Sequence, residues 1–121
     1  MGERLPRSAR LTNAAAFAAV FAHRCVGRSE HLTVSAKPGV PDLGRLGLAL
    51  SRKVAARAVD RNYMKRVIRE AFRCHAMHYA GMDVVVTPRR IFRRGQGKAI
   101  EAELMALAGP LANRCLASCK P

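Results

Sequence analysis

The chain predicts an α+β fold, a two-layer sandwich of helices on a small central sheet, in the rough order α-β-β-α-β-α. Three observations predict it. Residues 56–73 and 98–107 repeat apolar side chains at helical spacing, and 14–22 is a run of good helix formers. Residues 31–36, 45–51 and 82–87 either alternate or are β-branched and almost wholly apolar, as strands are. The length of 121 residues, with 50% hydrophobic, suits one domain over 1–121 with a core that needs no staples.

Residues 1–11 read as an extended basic lead-in, with Arg4, Arg7 and Arg10 three apart and Pro6 blocking a regular helix. Thr12 or Asn13 caps a helix that runs to about His23. Phe17 and Phe21 share one of its faces at i, i+4, as core residues or as an exposed aromatic pair. A short extra strand near Val26 is possible before HLTVSA at 31–36. KPGVPDLG at 37–44 is turn chemistry. RLGLALS at 45–51 puts Leu46, Leu48 and Leu50 on one strand face. A long helix follows from residue 56, ended by Ala80-Gly81. MDVVVT at 82–87 is the third strand, and 88–97 is a basic loop. The closing helix spans 98–107, with Gly109-Pro110 breaking or kinking it and a loose tail from 113 to 121.

Charge narrows the function. The 22 Lys+Arg against 8 Asp+Glu give +14, and Arg outnumbers Lys 17 to 5. Such an excess repels itself in a compact chain, so a polyanionic partner is expected, nucleic acid before membrane. No apolar run approaches the roughly 20 residues of a membrane span. No signal peptide is read, and the expected location is the cytosol. The four cysteines, Cys25, Cys74, Cys115 and Cys119, form no C-x-x-C pair and are expected to be free thiols.

The helix ARAVDRNYMKRVIREAFR concentrates this charge. At 100° per residue from Arg57, the side chains of Arg61, Asn62, Lys65, Arg66, Arg69 and Arg73 share one arc. Val59, Tyr63, Met64, Val67, Ile68 and Ala71 share the other, with Phe72 at the boundary and Asp60 and Glu70 outside the basic arc. Arg61, Lys65, Arg69 and Arg73 stand at i, i+4, where like charges destabilise a helix by a few tenths of a kcal/mol per pair. A bound polyanion would relieve that repulsion. With Arg52 and Lys53 at the helix approach, residues 52–73 carry a net +6. Arg89, Arg90, Arg93 and Arg94 form a second cluster suited to RNA phosphates. Composition alone allows a ribosomal-type or general RNA-chaperone protein equally well. The carboxylates are too few and too dispersed for a two-metal nuclease site. No catalytic triad or phosphate-cradling Gly loop is present. His75 and His78, at i and i+3, read as surface residues rather than metal ligands.

The string R-K-x(3)-R-A-V-x-R-N-x(2)-K-R-x-I-R-E-A-F, from Arg52 to Phe72, resembles the signature of the bacterial ribonuclease P protein subunit. Arg10, Leu11 and Phe17 at the start, Gly47 to Ser51 and the DVVV strand are similar too, so the resemblance covers about residues 4–110. It implies a left-handed β-α-β crossover around the basic helix, a hand that sequence patterns would never suggest. It also implies the small subunit of a ribonucleoprotein that removes 5′ leaders from precursor tRNA. The partner RNA would carry the hydrolysis with magnesium ions bound mainly by RNA, none tightly by the protein. The implied partners are that catalytic RNA and precursor tRNA, with no membrane and no obligate protein partner. No residue is catalytic. Arg52, Lys53, Arg57, Arg61, Asn62, Lys65, Arg66 and Arg69, together with Arg73 of the same face, would contact RNA. Phe17 and Phe21 would line the cleft for the single-stranded leader. Asn62 could help hold a hydrated magnesium ion against RNA phosphates. Two positions depart from the family pattern. Tyr63 stands where a third polar-cationic residue is usual, and Ser35 where a third cleft aromatic is expected.

Overall fold

The computed structural model describes residues 7–117. Arg4 and most of the lead-in, and residues 118–121 of the tail, lie outside them. After a 3-10 turn at Arg7–Ala9 come α1 (Ala14–His23), β1 (Cys25–Arg28), β2 (Leu32–Pro38), β3 (Arg45–Leu48) and α2 (Ala58–Cys74). A second 3-10 turn, β4 (Met82–Pro88) and α3 (Gly97–Ala117) complete the order. The α+β expectation holds, and the strand near Val26 is real. The sheet order is β1-β2-β4-β3. β1 and β4 flank β2 antiparallel, while β3 lies parallel to β4 and reaches it through α2.

Local chemistry sets the element ends. Asn13 caps α1, its side-chain oxygen accepting the Ala16 N–H at 2.8 Å. Arg24 closes it in the left-handed region, φ 60°, and donates its N–H to Phe21 O. β3 ends at Leu48 rather than 51, though the Ala49 N–H still reaches Val86 O at 3.0 Å. α2 starts at Ala58, because Arg57 is extended. It stops at Cys74, short of the expected Ala80-Gly81, because a 3-10 turn at Ala76–Tyr79 swings Tyr79 inward. Gly81 then turns the chain into β4 with φ 82°. α3 does not break at Gly109-Pro110 but continues to Ala117. Pro110 sits on the exposed side, where the carbonyl it frees faces water, while buried Leu104, Ala108 and Leu111 keep one stripe against the sheet.

The main core lies between the sheet and α2 with α3. Met64, Ile68 and Phe72 meet Val34, Val84 and Val86, and Ile100, Leu104 and Leu111 complete it. Tyr79, wholly buried, donates its hydroxyl to Leu104 O at 2.5 Å. On the other sheet face Val20 of α1 and Leu11 cover Val85, with Phe17 and Ala49 packed beside them. The two-layer body therefore carries α1 as a small cover on its far side.

Three polar clamps tie elements together. Arg45 holds Asp83 through two 2.7 Å hydrogen bonds, with Lys37 3.6 Å away. His75 meets Glu101 at 2.6 Å, joining the end of α2 to α3. Glu103 receives the Ser29 hydroxyl and the His31 N–H on one oxygen and lies 2.6 Å from His31 Nδ1 on the other. Burial works to raise the Glu103 pKa, but these three donors outweigh it and hold the carboxyl below its ordinary value.

A carboxyl held low in the fold stabilises fully above the unfolded value of about 4.3 and loses that contribution as pH falls through the lower folded value. Urea unfolding midpoints at pH 6 and pH 3 should therefore drop less for Glu103→Gln than for the parent chain. Equal drops would remove Glu103 from the acid response.

Candidate nucleic-acid interface

α2 presents the surface that its sequence pattern promised, with three changes. Arg52, Lys53, Arg57, Asn62, Arg66 and Arg69 are exposed, and Lys65 is half-buried at its stem. Arg61 turns back, donating from Nη1 to Ala55 O at 2.9 Å and Ala56 O at 2.8 Å. It braces the turn that carries Arg52 and Lys53. Arg73 pairs with Glu70 through contacts of 2.5 and 3.2 Å, so the lower end of the like-charge ladder is neutralised by an acid that the helical projection had set apart. The Arg73 guanidinium holds the Glu70 carboxyl below its usual pKa. Val59, projected onto the core arc, is 60% exposed in the first turn of α2, where it lines an open pocket facing Arg93 and Arg94. Phe72, placed at the boundary, is wholly buried.

The cleft beside β3 brings Phe17 together with Lys65 and Arg69, in an open groove of about 270 Å³ that Arg10, Thr12 and Leu48 also line. These residues are far apart in sequence. They meet because β3 is the sheet's edge strand, with α2 starting just beyond it and Leu11 donating its N–H to Leu46 O alongside. Gly47 makes room for the ring: a Cβ there would stand 2.7 Å from Phe17 Cζ. Phe21 is 45% exposed and does not line this groove, so the expected aromatic pair is split. Ser35 is buried in β2, paired with Val85 and Val26, and offers no stacking surface.

The second basic cluster divides as well. Arg93 and Arg94 flank an open pocket of about 630 Å³ against Asn62, Tyr63 and Arg66 of α2, extending the cationic surface. Arg89 instead donates to Ser29 O at 2.7 Å and Arg90 lies 4.0 Å from Glu30, both at the β1–β2 turn. Tyr63, on the apolar arc of the helical projection, turns to the β4–α3 loop. Its ring packs edge-on to Phe92, and the Arg66 guanidinium lies 6.0 Å above it. Among the described residues no group of three or more His, Cys, Asp or Glu could hold a metal ion, and His75 serves Glu101. Cys74 is a free, exposed thiol, whereas Cys25 is disulfide-bonded, against the expectation of free thiols throughout. No helix among the described residues is long and apolar enough to cross a membrane.

A family model described as Ribonuclease P matches residues 5–111. A protein of Chromobacterium violaceum named Ribonuclease P protein component is 40% identical over 115 residues, covering 95% of this chain and 94% of that one. A protein of the same name from Burkholderia mallei is 40% identical over 110 residues, covering 91% and 76%. Among solved structures, the ribonuclease P protein of Thermotoga maritima aligns with TM-score 0.69 at 26% identity, over 84% of this chain and 96% of that one.

The Phe17–Gly47 contact gives a direct test of the cleft. Gly47→Ala should displace the ring and destabilise the chain by about 1 kcal/mol or more. In a Phe17→Ala background the same change should cost clearly less, since only the 3.2 Å approach to Leu11 Cβ remains and Gly is itself weak inside a strand. Additive effects in urea unfolding would place the ring elsewhere.

Proposed function

Since this chain belongs to the ribonuclease P protein family, we propose a division of labour within it as the RNA-binding subunit of that tRNA-processing endoribonuclease. The exposed cations of α2 and its approach outside the Phe17 groove, Arg52, Lys53, Arg57 and Arg66, grip phosphates of the partner RNA. Arg61 holds the approach in place, and Arg93 and Arg94 extend the grip. The groove at Phe17 takes the single-stranded leader of precursor tRNA, with Lys65 and Arg69 on its phosphates and the ring against a base. Phe21, outside the groove, meets the leader only beyond it.

One observation carries this reading: a half-buried aromatic ring and two cations from another element converge on one open groove. Single-stranded RNA is bound by that combination, since rings stack bases and cations track the backbone. The hydrolysis itself needs no protein nucleophile here. Magnesium ions held by RNA phosphates would supply charge neutralisation at the scissile bond. Asn62, exposed and uncharged among cations, suits an outer contact to a hydrated ion rather than direct ligation. The site of action is the cytoplasm, with no membrane and no obligate protein partner.

Precursor-tRNA cleavage at low magnesium should be strongly stimulated when this protein is added to a bacterial ribonuclease P RNA, with no cleavage by protein alone. Intact RNA binding without stimulation would favour a general RNA chaperone instead. Replacing Lys65 and Arg69 together by Ala should weaken RNA binding and flatten the slope of log affinity against log salt by roughly 1.5. An unchanged slope would take both residues off the phosphates.

A further inference from the structure

The pocket between α2 and the loop after β4 differs in kind from a solvated basic face. Its floor is an aromatic ring held in one orientation. Tyr63 packs at 63° to Phe92, centroids 6.5 Å apart, and Phe92 is itself buried. The Tyr63 hydroxyl reaches Arg93 O at 3.5 Å. The rim is cationic and set in place, since the Arg93 N–H bonds Gln96 Oε1 at 2.8 Å and thereby fixes the loop. Arg66 hovers over the ring at 6.0 Å, near the outer limit of a cation–π contact, so this exposed side chain can lift away without losing a close partner. Exposed Val59 adds an apolar wall, and Asp60 and Asn62 add an acceptor and an amide.

We infer that this pocket seats one unpaired nucleotide of the partner RNA, its base stacked on Tyr63 beneath the Arg66 guanidinium and its phosphate on Arg93 and Arg94. The inference rests on the RNA-binding reading above and deepens it. A regular duplex cannot use the ring, because its bases are already stacked and only its backbone is presented. An unpaired nucleotide satisfies every wall at once: ring to ring, phosphate to cations, base edge to Asp60 and Asn62. Tyr63 thus offers the RNA a stacking contact, which is less sensitive to salt than a phosphate contact. This pocket lies apart from the Phe17 groove. The two share no lining residue.

The chain has no Trp, so Tyr63→Trp introduces a sole reporter at the site. Titrated with bacterial ribonuclease P RNA and excited at the red edge of indole absorption, its emission should fall as the complex forms. Binding is followed independently by anisotropy of end-labelled RNA. In the native background Tyr63→Ala should lose about 5- to 150-fold in affinity with the salt slope unchanged. Tyr63→Phe, which keeps the ring, should recover most of that loss. Emission that stays constant while anisotropy reports binding overturns the stacked nucleotide and leaves the RNA-binding reading standing. A reduced salt slope for Tyr63→Ala would also overturn it, by showing that the ring only positions Arg93 and Arg94. Absence of binding by the parent chain would overturn both.

Discussion

The basic surface depends on the burial of one helical stripe. Met64, Ile68 and Phe72 are fully shielded between α2 and the sheet. Each such side chain contributes about 1.5–3 kcal/mol on leaving water. A like-charge pair at i, i+4 opposes the helix by only a few tenths of a kcal/mol. Burial therefore wins by several-fold, and α2 forms although cations crowd its outer face. With the stripe fixed, the helix has no rotational freedom left. Lys65, Arg66 and Arg69 must face outward, and the parallel β3–α2–β4 path puts the helix beside the sheet edge where Phe17 lies.

The few acids reinforce this asymmetry. Asp83 is committed to Arg45 and Lys37, Glu101 to His75, Glu103 to Ser29 and His31, and Glu70 to Arg73. Three of these four clamps join separate elements, so negative charge is used to hold the fold rather than to balance α2. A buried carboxylate left alone would be unstable, and each here has donors within hydrogen-bond range. The positive excess is thereby left mainly on the exposed residues of α2, its approach and the loop at Arg93 and Arg94.

Pattern made the elements legible, because α2 buries a stripe at helical period and β4 is a short β-branched run buried almost throughout. It failed where tertiary contacts overrule local rules. Pro110 breaks no helix when its freed carbonyl faces water and Leu111 stays buried. Val59 obeys the apolar arc yet stays 60% exposed at the start of α2. Arg61 sits squarely in the basic arc, but its guanidinium is drawn to two loop carbonyls that only the folded turn brings near. The groove was half legible: Lys65 and Arg69 stand out in the basic helix and Phe17 in α1, but their convergence is a property of topology. Gly47 looks like an ordinary strand glycine until the ring above it is seen.

On the proposed reading, each flank of α2 combines two kinds of recognition. Phosphate contacts hold any RNA and weaken together with salt. Rings discriminate, because only unpaired bases can reach them. Phe17 lies with Lys65 and Arg69 on one flank, Tyr63 with Arg66 and Arg94 on the other, so each ring has its own cations. A helix that was uniformly cationic all round would bind more tightly to everything and select nothing. On the proposed reading, the rings beside its cations, Phe17 and Tyr63, are where selection for unpaired RNA arises.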